Sequence, residues 1–346
     1  MWDELLAKLD RREDLEVAEV RSAMSWILSG AANPDQIKNF MLGLKAKGER
    51  PSEVTALVAE MFEHATLIDI PDRCVDIVGT GGDGFNTINI STPAAIVTTA
   101  AGARTIKHGN RAASSNSGAA DLLEALGINI DLGADQVAQT VYKIGIGFAF
   151  APKFHPAMRH AAPVRKAIGL PTVFNILGPL ANPARPVAVA IGVARAEMFP
   201  LVAEVLAARG CEGFVFRGEE GMDELSISGP SQIFQIHRGS ITSSRFDPRE
   251  IGLETSPISA LRGESAAGNA AIVERIFAGK KGPARDAILL NAAAAIAAFK
   301  GDFNLAIEQQ IANGYVLAKS AVDSGRAIEL LQRWRDLSKE LAKSSL

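Results

Sequence analysis

From Cys74 onward, short apolar runs alternate with helical segments, and this alternation narrows the possible folds more than any other feature of the sequence. Cys74-Val75-Asp76-Ile77-Val78 predicts a short buried strand, followed by a glycine-rich turn and an apolar helix over residues 93–101. Residues 103–106 predict a second strand and 117–126 a helix, with later strands over 147–150, 187–193 and 213–217 and further helices between and after them. Strands alternating with helices imply an α/β domain built on a largely parallel sheet. The residues before this point read differently. Val54, Leu57, Val58, Met61 and Phe62 recur at helical spacing and share one helical face. Asn33-Pro34-Asp35-Gln36 has the form of a helix N-cap with proline at the first helical position, and Gly48 suits the far end. The expectation is a small helical domain, whose Met and Leu stripe forms core or a subunit contact, plus a larger α/β domain.

The chain of 346 residues is long enough for two such units and a sizeable core. Its net charge of −3 gives no long-range pull toward nucleic acid or an anionic membrane, so any anion site must be local. Cys74 and Cys211 read as buried small hydrophobes rather than a disulfide or metal pair. Met1-Trp2-Asp3-Glu4-Leu5-Leu6 lacks the basic and apolar regions of a signal peptide, and the apolar run 287–299 is too short to span a bilayer. A cytoplasmic location is expected.

Gly79-Thr80-Gly81-Gly82-Asp83-Gly84 satisfies G-x-G-x-x-G after a strand, which makes a dinucleotide fold the obvious rival. That fold wants an acidic residue at the end of the next strand to hold ribose hydroxyls. Here Lys107-His108 follows instead, and no Walker sequence is present. The glycines would still let backbone N–H groups approach phosphate oxygens, and Ser91-Thr92-Pro93 offers a capped helix start as a second anion-binding element. Lys107-His108-Gly109-Asn110-Arg111 with Ser114-Ser115 places cations and hydroxyls after a strand, where α/β proteins bind ligands. Glu219-Glu220-Gly221-Met222-Asp223-Glu224 follows another strand. It fits a solvated surface as well as a ligand set, and beside a polyphosphate it would suit magnesium. His155-Pro156-Ala157-Met158-Arg159 and Pro163-Val164-Arg165 form a last cationic group, in which Pro163 should kink or restart the helix.

Taken with Asn89-Ile90-Ser91-Thr92 and Val173-Phe174-Asn175-Ile176-Leu177-Gly178-Pro179-Leu180, these segments resemble the anthranilate phosphoribosyltransferase family over nearly the whole chain. The resemblance implies a magnesium-dependent transfer of the phosphoribosyl group from phosphoribosyl pyrophosphate (PRPP) to anthranilate. It also implies homodimerisation through the helical part, with no nucleic-acid or membrane partner. The implied domains are helical residues 1–72, joined by a middle helical segment of about 155–185, and an α/β unit of 73–154 and 186–346. Carried over by position, PRPP would be held by Gly79, Gly82, Asp83, Thr87, Asn89, Ile90, Ser91 and Thr92. Lys107, His108, Gly109, Asn110, Arg111, Ala112, Ala113, Ser114, Ser115 and Ala119 would continue that site. Gly79, Asn110, His155 and Arg165 would meet anthranilate, Ser91, Asp223 and Glu224 would hold magnesium, and Lys107, His108, Asn110 and Arg165 are the candidate catalytic groups. Ala119, where many members carry serine, and Pro171, where arginine is common, depart from the family pattern. Two other readings stay open at this stage: a pyrimidine nucleoside phosphorylase of the same fold, and a non-catalytic nucleic-acid-binding paralogue.

Overall fold

A computed structural model of the chain describes residues 2–112 and 116–343. Four helices open it: α1 (Trp2–Asp10), α2 (Val17–Ser29), α3 (Pro34–Lys47) and α4 (Pro51–Glu63). The start of α3 is the one its sequence predicts. Asn33 Oδ1 accepts from the Gln36 N–H and Gln36 Oε1 from the Asn33 N–H, each at 2.9 Å, and Pro34 opens the helix where no N–H is needed. Gly48 closes it by donating to Leu44 O. On α4, Val54, Leu57, Val58 and Met61 are buried together, with Phe62 at the edge of the same cluster.

The larger unit runs β1 (Val75–Gly79), α5 (Ser91–Ala100), β2 (Thr105–Gly109), α6 (Ala119–Ala125), α7 (Ala134–Ile144) and β3 (Ile146–Phe150). One-turn helix α8 (Ala151–Phe154), α9 (Ala162–Ile168) and one-turn helix α10 (Leu177–Leu180) then lead to β4 (Ala188–Gly192), α11 (Phe199–Ala208) and β5 (Glu212–Gly218). A hairpin, β6 (Ser231–His237) and β7 (Ser240–Phe246), precedes α12 (Ala266–Phe277), α13 (Pro283–Lys300), α14 (Ile307–Asp323) and α15 (Arg326–Lys343). The seven strands lie in the order β3-β2-β1-β4-β5-β6-β7. The first five pair in parallel, and β6 and β7 join antiparallel. Both faces of the parallel part are covered, and alternate residues of β4 divide between two clusters: Ala188 and Ala190 on one face, Val189 and Ile191 on the other. The second cluster continues through α11 into α2–α4 and residues 161–181, so the helical part shares its core with one face of the sheet.

The chain moves outward from β1 in both directions, to β2 and β3 on one side and to β4 and β5 on the other. The crevice beyond the C-terminal ends of β1 and β4 is therefore a topological switch point, the usual ligand position in open α/β sheets.

Three expectations are corrected. β2 continues through Lys107, His108 and Gly109, because both polar side chains find buried partners. The β6–β7 hairpin was not predicted. Ser91 opens α5 without acting as a side-chain cap, its hydroxyl being turned to Lys107. Pro163 does restart the chain, from a 3₁₀ turn over Pro156–His160 into α9. Cys74 and Cys211 are free and buried, and among the described residues no helix is long and apolar enough to cross a membrane.

Candidate active site

Two glycines face each other across the switch point. Gly79 at the end of β1 is in register with Gly192 at the end of β4, and the Asp223 segment lies directly over both. A Cβ on Gly79 would come 2.2 Å from Asp223 Oδ2, and one on Gly192 would come 1.7 Å from Asp223 O. These positions need the space that only glycine leaves. Gly81 and Gly82 serve otherwise: their φ values of 71° and 81° lie in the left-handed region, with nothing near a would-be Cβ. The turn is tied down by Thr80 N–H to Gly192 O at 2.9 Å and Gly81 N–H to Asp223 Oδ2 at 2.6 Å.

The hexapeptide Glu219–Glu224 thereby separates into two functions. Glu219 accepts from Arg245 at 2.7 Å, and Glu220 accepts from the Ser226 and Ser228 hydroxyls, so both anchor the turn. Asp223 and Glu224 point inward and are 9% and 8% exposed. Burial, then the charge of Asp83, pushes the Asp223 carboxyl up to about 7, and burial with Asp223 raises Glu224 well above the ordinary range. A positive charge placed there would be strongly favoured. Part of it is Lys107, 1% exposed, whose Nζ donates to Ile77 O at 2.5 Å and to Ser91 Oγ at 3.1 Å. Burial lowers the Lys107 pKa, while Asp76, Glu224 and Asp223 act to raise it.

Ser91, Asp223 and Glu224 thus form an oxygen donor set with two carboxylates that are short of cation. Among the described residues no group of three or more His, Cys, Asp or Glu side chains is placed to hold an ion alone. Two carboxylates beside a hydroxyl suit magnesium, which is commonly held by one or two carboxylates together with substrate phosphates.

The remaining candidates are distributed around this centre. Asn89 donates to Ser117 O at 2.8 Å and accepts from Asn269 at 2.9 Å, and so joins α5's approach to the loop before α6. Thr87 bridges to Arg262. The Ile90 side chain is in the core and that of Thr92 is buried, so the Ile90 main chain is what remains for a ligand. Gly109 is fitted closely between Phe148 and Ala119, where a Cβ would come within 2.9 and 3.0 Å of them. Exposed Asn110 accepts the Arg111 N–H through Oδ1 at 2.7 Å. Arg111 is directed away from the carboxylate pair, bound by Asp121 at 3.0 Å and Glu124 at 2.5 Å, and Ala112 N–H also bonds Asp121. Ala113, Ser114 and Ser115 lie outside the described residues.

The rings of His108 and His155 meet in a tilted arrangement, 5.2 Å between centroids and 56° between planes. His108 Nδ1 meets Gly178 O at 2.9 Å and His155 Nε2 meets Ala181 O at 2.7 Å, so each nitrogen must carry the proton that bonds a carbonyl. Burial, then His155, lowers the His108 pKa to about 3, and burial lowers that of His155. Both are neutral at physiological pH, with buried His108 Nε2 left as an unpaired acceptor. Arg165, on α9, is half-buried, and its guanidinium has no hydrogen-bond or ion-pair partner among the described residues; burial lowers its pKa. Pro171 is reached by Lys45 Nζ at its carbonyl, 2.6 Å.

Sequence reasoning missed Gly192, Asp76, Asn182 and Asn291. Asp76 is pushed up to about 6 by burial; it receives the Asn182 amide at 2.9 Å and the His108 N–H at 3.3 Å, which fixes the floor beneath Lys107. A polar residue inside an otherwise apolar run was the available signal, since buried polar groups must find partners.

Comparison with known proteins extends this geometry. Residues 3–65 match the family model described as glycosyl transferase family, helical bundle domain, and residues 71–328 that of its a/b domain. The chain is 50% identical to anthranilate phosphoribosyltransferase of Rhodococcus jostii, over 99% of this chain and 95% of the relative. The crystal structure of the Thermus thermophilus anthranilate phosphoribosyltransferase superposes with a TM-score of 0.90 at 39% identity, covering 96% of this chain and 99% of the other. The Saccharomyces cerevisiae enzyme in complex with PRPP and Mg superposes with a TM-score of 0.88 at 29% identity, covering 98% of both chains.

Proposed function

This chain belongs to the anthranilate phosphoribosyltransferases of that glycosyl transferase family, and from that premise we propose how its residues carry the transfer of the phosphoribosyl group from PRPP to the anthranilate amine. The observation that carries the reading is the buried Asp223–Glu224 pair, set against Lys107, Ser91 and the glycine turn at the switch point. The pyrophosphate of PRPP lies against the backbone of residues 79–83 and 89–92, with Asn89, the end of β2 and residues 110–112 along the phosphoribosyl group. Ser91, Asp223 and Glu224 would hold magnesium, which when bound would offset pyrophosphate charge.

In the reaction the bond from C1 of the ribose to the pyrophosphate oxygen breaks, and its electron pair leaves with pyrophosphate. A new bond forms from the anthranilate nitrogen to C1, and the nitrogen then gives up a proton to the departing pyrophosphate or to solvent water. An aromatic amine is already unprotonated at neutral pH, so no strong base is required. Lys107 contributes fixed positive charge near the leaving group. His108 and His155, each held on a carbonyl of residues 178–181, act as neutral orienting groups beside anthranilate together with Asn110. Arg165 takes the anthranilate carboxylate. Arg111 joins PRPP binding only by exchanging part of its pairing with Asp121 and Glu124.

The domain division at residue 72, with 155–185 joining the helical part, belongs to the same proposal. So does a homodimer through the helices, supported by the partly exposed Trp2–Trp26 pair at 5.3 Å. A cytoplasmic location is supported by a substrate that is a highly charged sugar pyrophosphate. Full-length similarity to transferases disfavours the phosphorylase and nucleic-acid-binding readings.

The test is anthranilate fluorescence, which should fall only when PRPP and a divalent cation are both supplied. Thymidine phosphorolysis should be absent from the same preparation. Phosphorolysis without anthranilate consumption would overturn the proposal.

A further inference from the structure

Asn291 is the one polar interruption in the stretch 287–298 of α13, where every other residue is apolar and buried. An amide placed there is costly unless its donors and acceptor are matched. All its partners are main-chain groups. Asn291 Oδ1 accepts the Leu225 N–H at 2.8 Å, while Nδ2 donates to Leu225 O at 3.0 Å and to Ala287 O at 2.9 Å. One side chain therefore holds both backbone polar groups of Leu225, the residue that follows Glu224.

We propose that Asn291 is a positioning residue that fixes the Asp223–Glu224 carboxylates in their magnesium-holding orientation. Around it, Glu219 accepts from Arg245 and Glu220 from the hydroxyls of Ser226 and Ser228, while the Ser226 N–H, one residue beyond Leu225, bonds Ser231 Oγ at 3.0 Å. On the inner side, Gly81 N–H reaches only the Asp223 side chain. Asn291 supplies the rigid reference: α13 packs under β4 and β5, whose ends define the switch point, and its amide sets the height of the acidic pair above them. This inference rests on the assignment of magnesium to Asp223 and Glu224.

The test uses the full-length protein and Mn²⁺, a paramagnetic stand-in for Mg²⁺, titrated with PRPP and followed by electron paramagnetic resonance. Asn291→Leu keeps the branched shape and the number of side-chain heavy atoms, with a somewhat larger volume, and removes every side-chain hydrogen bond. Partners that orient metal ligands are commonly worth about 10- to 100-fold in metal affinity, and a weakening of that size is expected for PRPP·Mn²⁺. The KM for anthranilate at saturating PRPP and Mg²⁺ should be unchanged. Asn291→Asp, which keeps the acceptor for the Leu225 N–H, should fall between Asn291→Leu and wild type, and it serves if Asn291→Leu does not fold. Ile296→Ala, a buried truncation on the same helix, should lower the melting temperature without moving the metal titration. In the unaltered protein the Leu225 amide should exchange with deuterium as slowly as the core amides of α13.

A lowered melting temperature with an unshifted metal titration in both Asn291 variants would overturn the inference, as would fast exchange at Leu225. Asp223→Asn with Glu224→Gln separates the two levels. If that pair leaves the titration unmoved, the metal assignment itself fails. If it abolishes binding while the Asn291 variants do not alter it, only the positioning role fails.

Discussion

Asp223→Asn combined with Glu224→Gln is expected to lower magnesium-dependent turnover on the order of 10³-fold while leaving the protein folded. Metal stabilisation of a leaving group is worth several kcal/mol, and about 4 kcal/mol corresponds to that factor at roughly 1.4 kcal/mol per decade. Stability should move the other way. Burial and Asp83 raise the Asp223 carboxyl to about 7, and burial and Asp223 raise that of Glu224. A carboxyl raised above its unfolded value of roughly 4 gives stability that is fully present below that pH and is lost as pH rises through the folded pKa. Without magnesium, the wild type should therefore lose melting temperature between roughly pH 4 and pH 8, and the neutral isosteres should lose less of it. At pH 8 the double variant should melt above the metal-free wild type, and added Mg²⁺ should stabilise only the wild type. Scanning calorimetry at both pH values, beside the fluorescence assay, tests the two effects separately. An unchanged rate with retained magnesium dependence would remove these buried carboxylates from the magnesium site.

The same pair illustrates what the sequence could and could not disclose. The strand ending at Gly218 and the acid-rich turn after it were readable, but six consecutive positions contain four carboxylates. Only the fold separates Glu219 and Glu220, which anchor the turn, from Asp223 and Glu224, which are buried. Local signals succeeded where the physics is local, as in the Asn33–Gln36 capping box and the buried face of α4. They failed at β2, where the polar Lys107 and His108 suggest a strand that stops at Ile106. The partners that let them be buried are Ile77, Ser91 and Gly178, brought together only by the sheet and α10. The β6–β7 hairpin escaped for a different reason. Its turn is Arg238-Gly239, both with positive φ, in place of the Asn-Gly pair that usually marks such a loop, and β7 is a mostly exposed edge strand with little alternation to detect. Asn182 and Asn291 gave only a partial signal: an amide in an apolar run must find buried partners, but the sequence does not say which backbone groups those will be.

Arg165→Ala is expected to raise the KM for anthranilate and to leave PRPP binding nearly untouched. The guanidinium of Arg165 is half-buried and without an internal partner among the described residues, so its desolvation is uncompensated until an anion arrives. A carboxylate would supply two parallel, charge-assisted hydrogen bonds. Losing such a contact costs on the order of 1.5–3 kcal/mol, or roughly 10- to 150-fold in affinity. Among the described residues no hydrogen bond links the Arg165 side chain to the glycine turn, the β2 end or the acidic pair, so the substitution should not spread to PRPP. For the same reason the melting temperature should not fall, because no intramolecular ion pair is broken. Arg165→Lys should recover only part of the loss, since an ammonium carries the charge but not the planar fork. Steady-state kinetics with each substrate varied, together with calorimetry of PRPP in the presence of Mg²⁺, distinguishes the outcomes. Equal damage toward both substrates, or none toward either, would remove Arg165 from the anthranilate site.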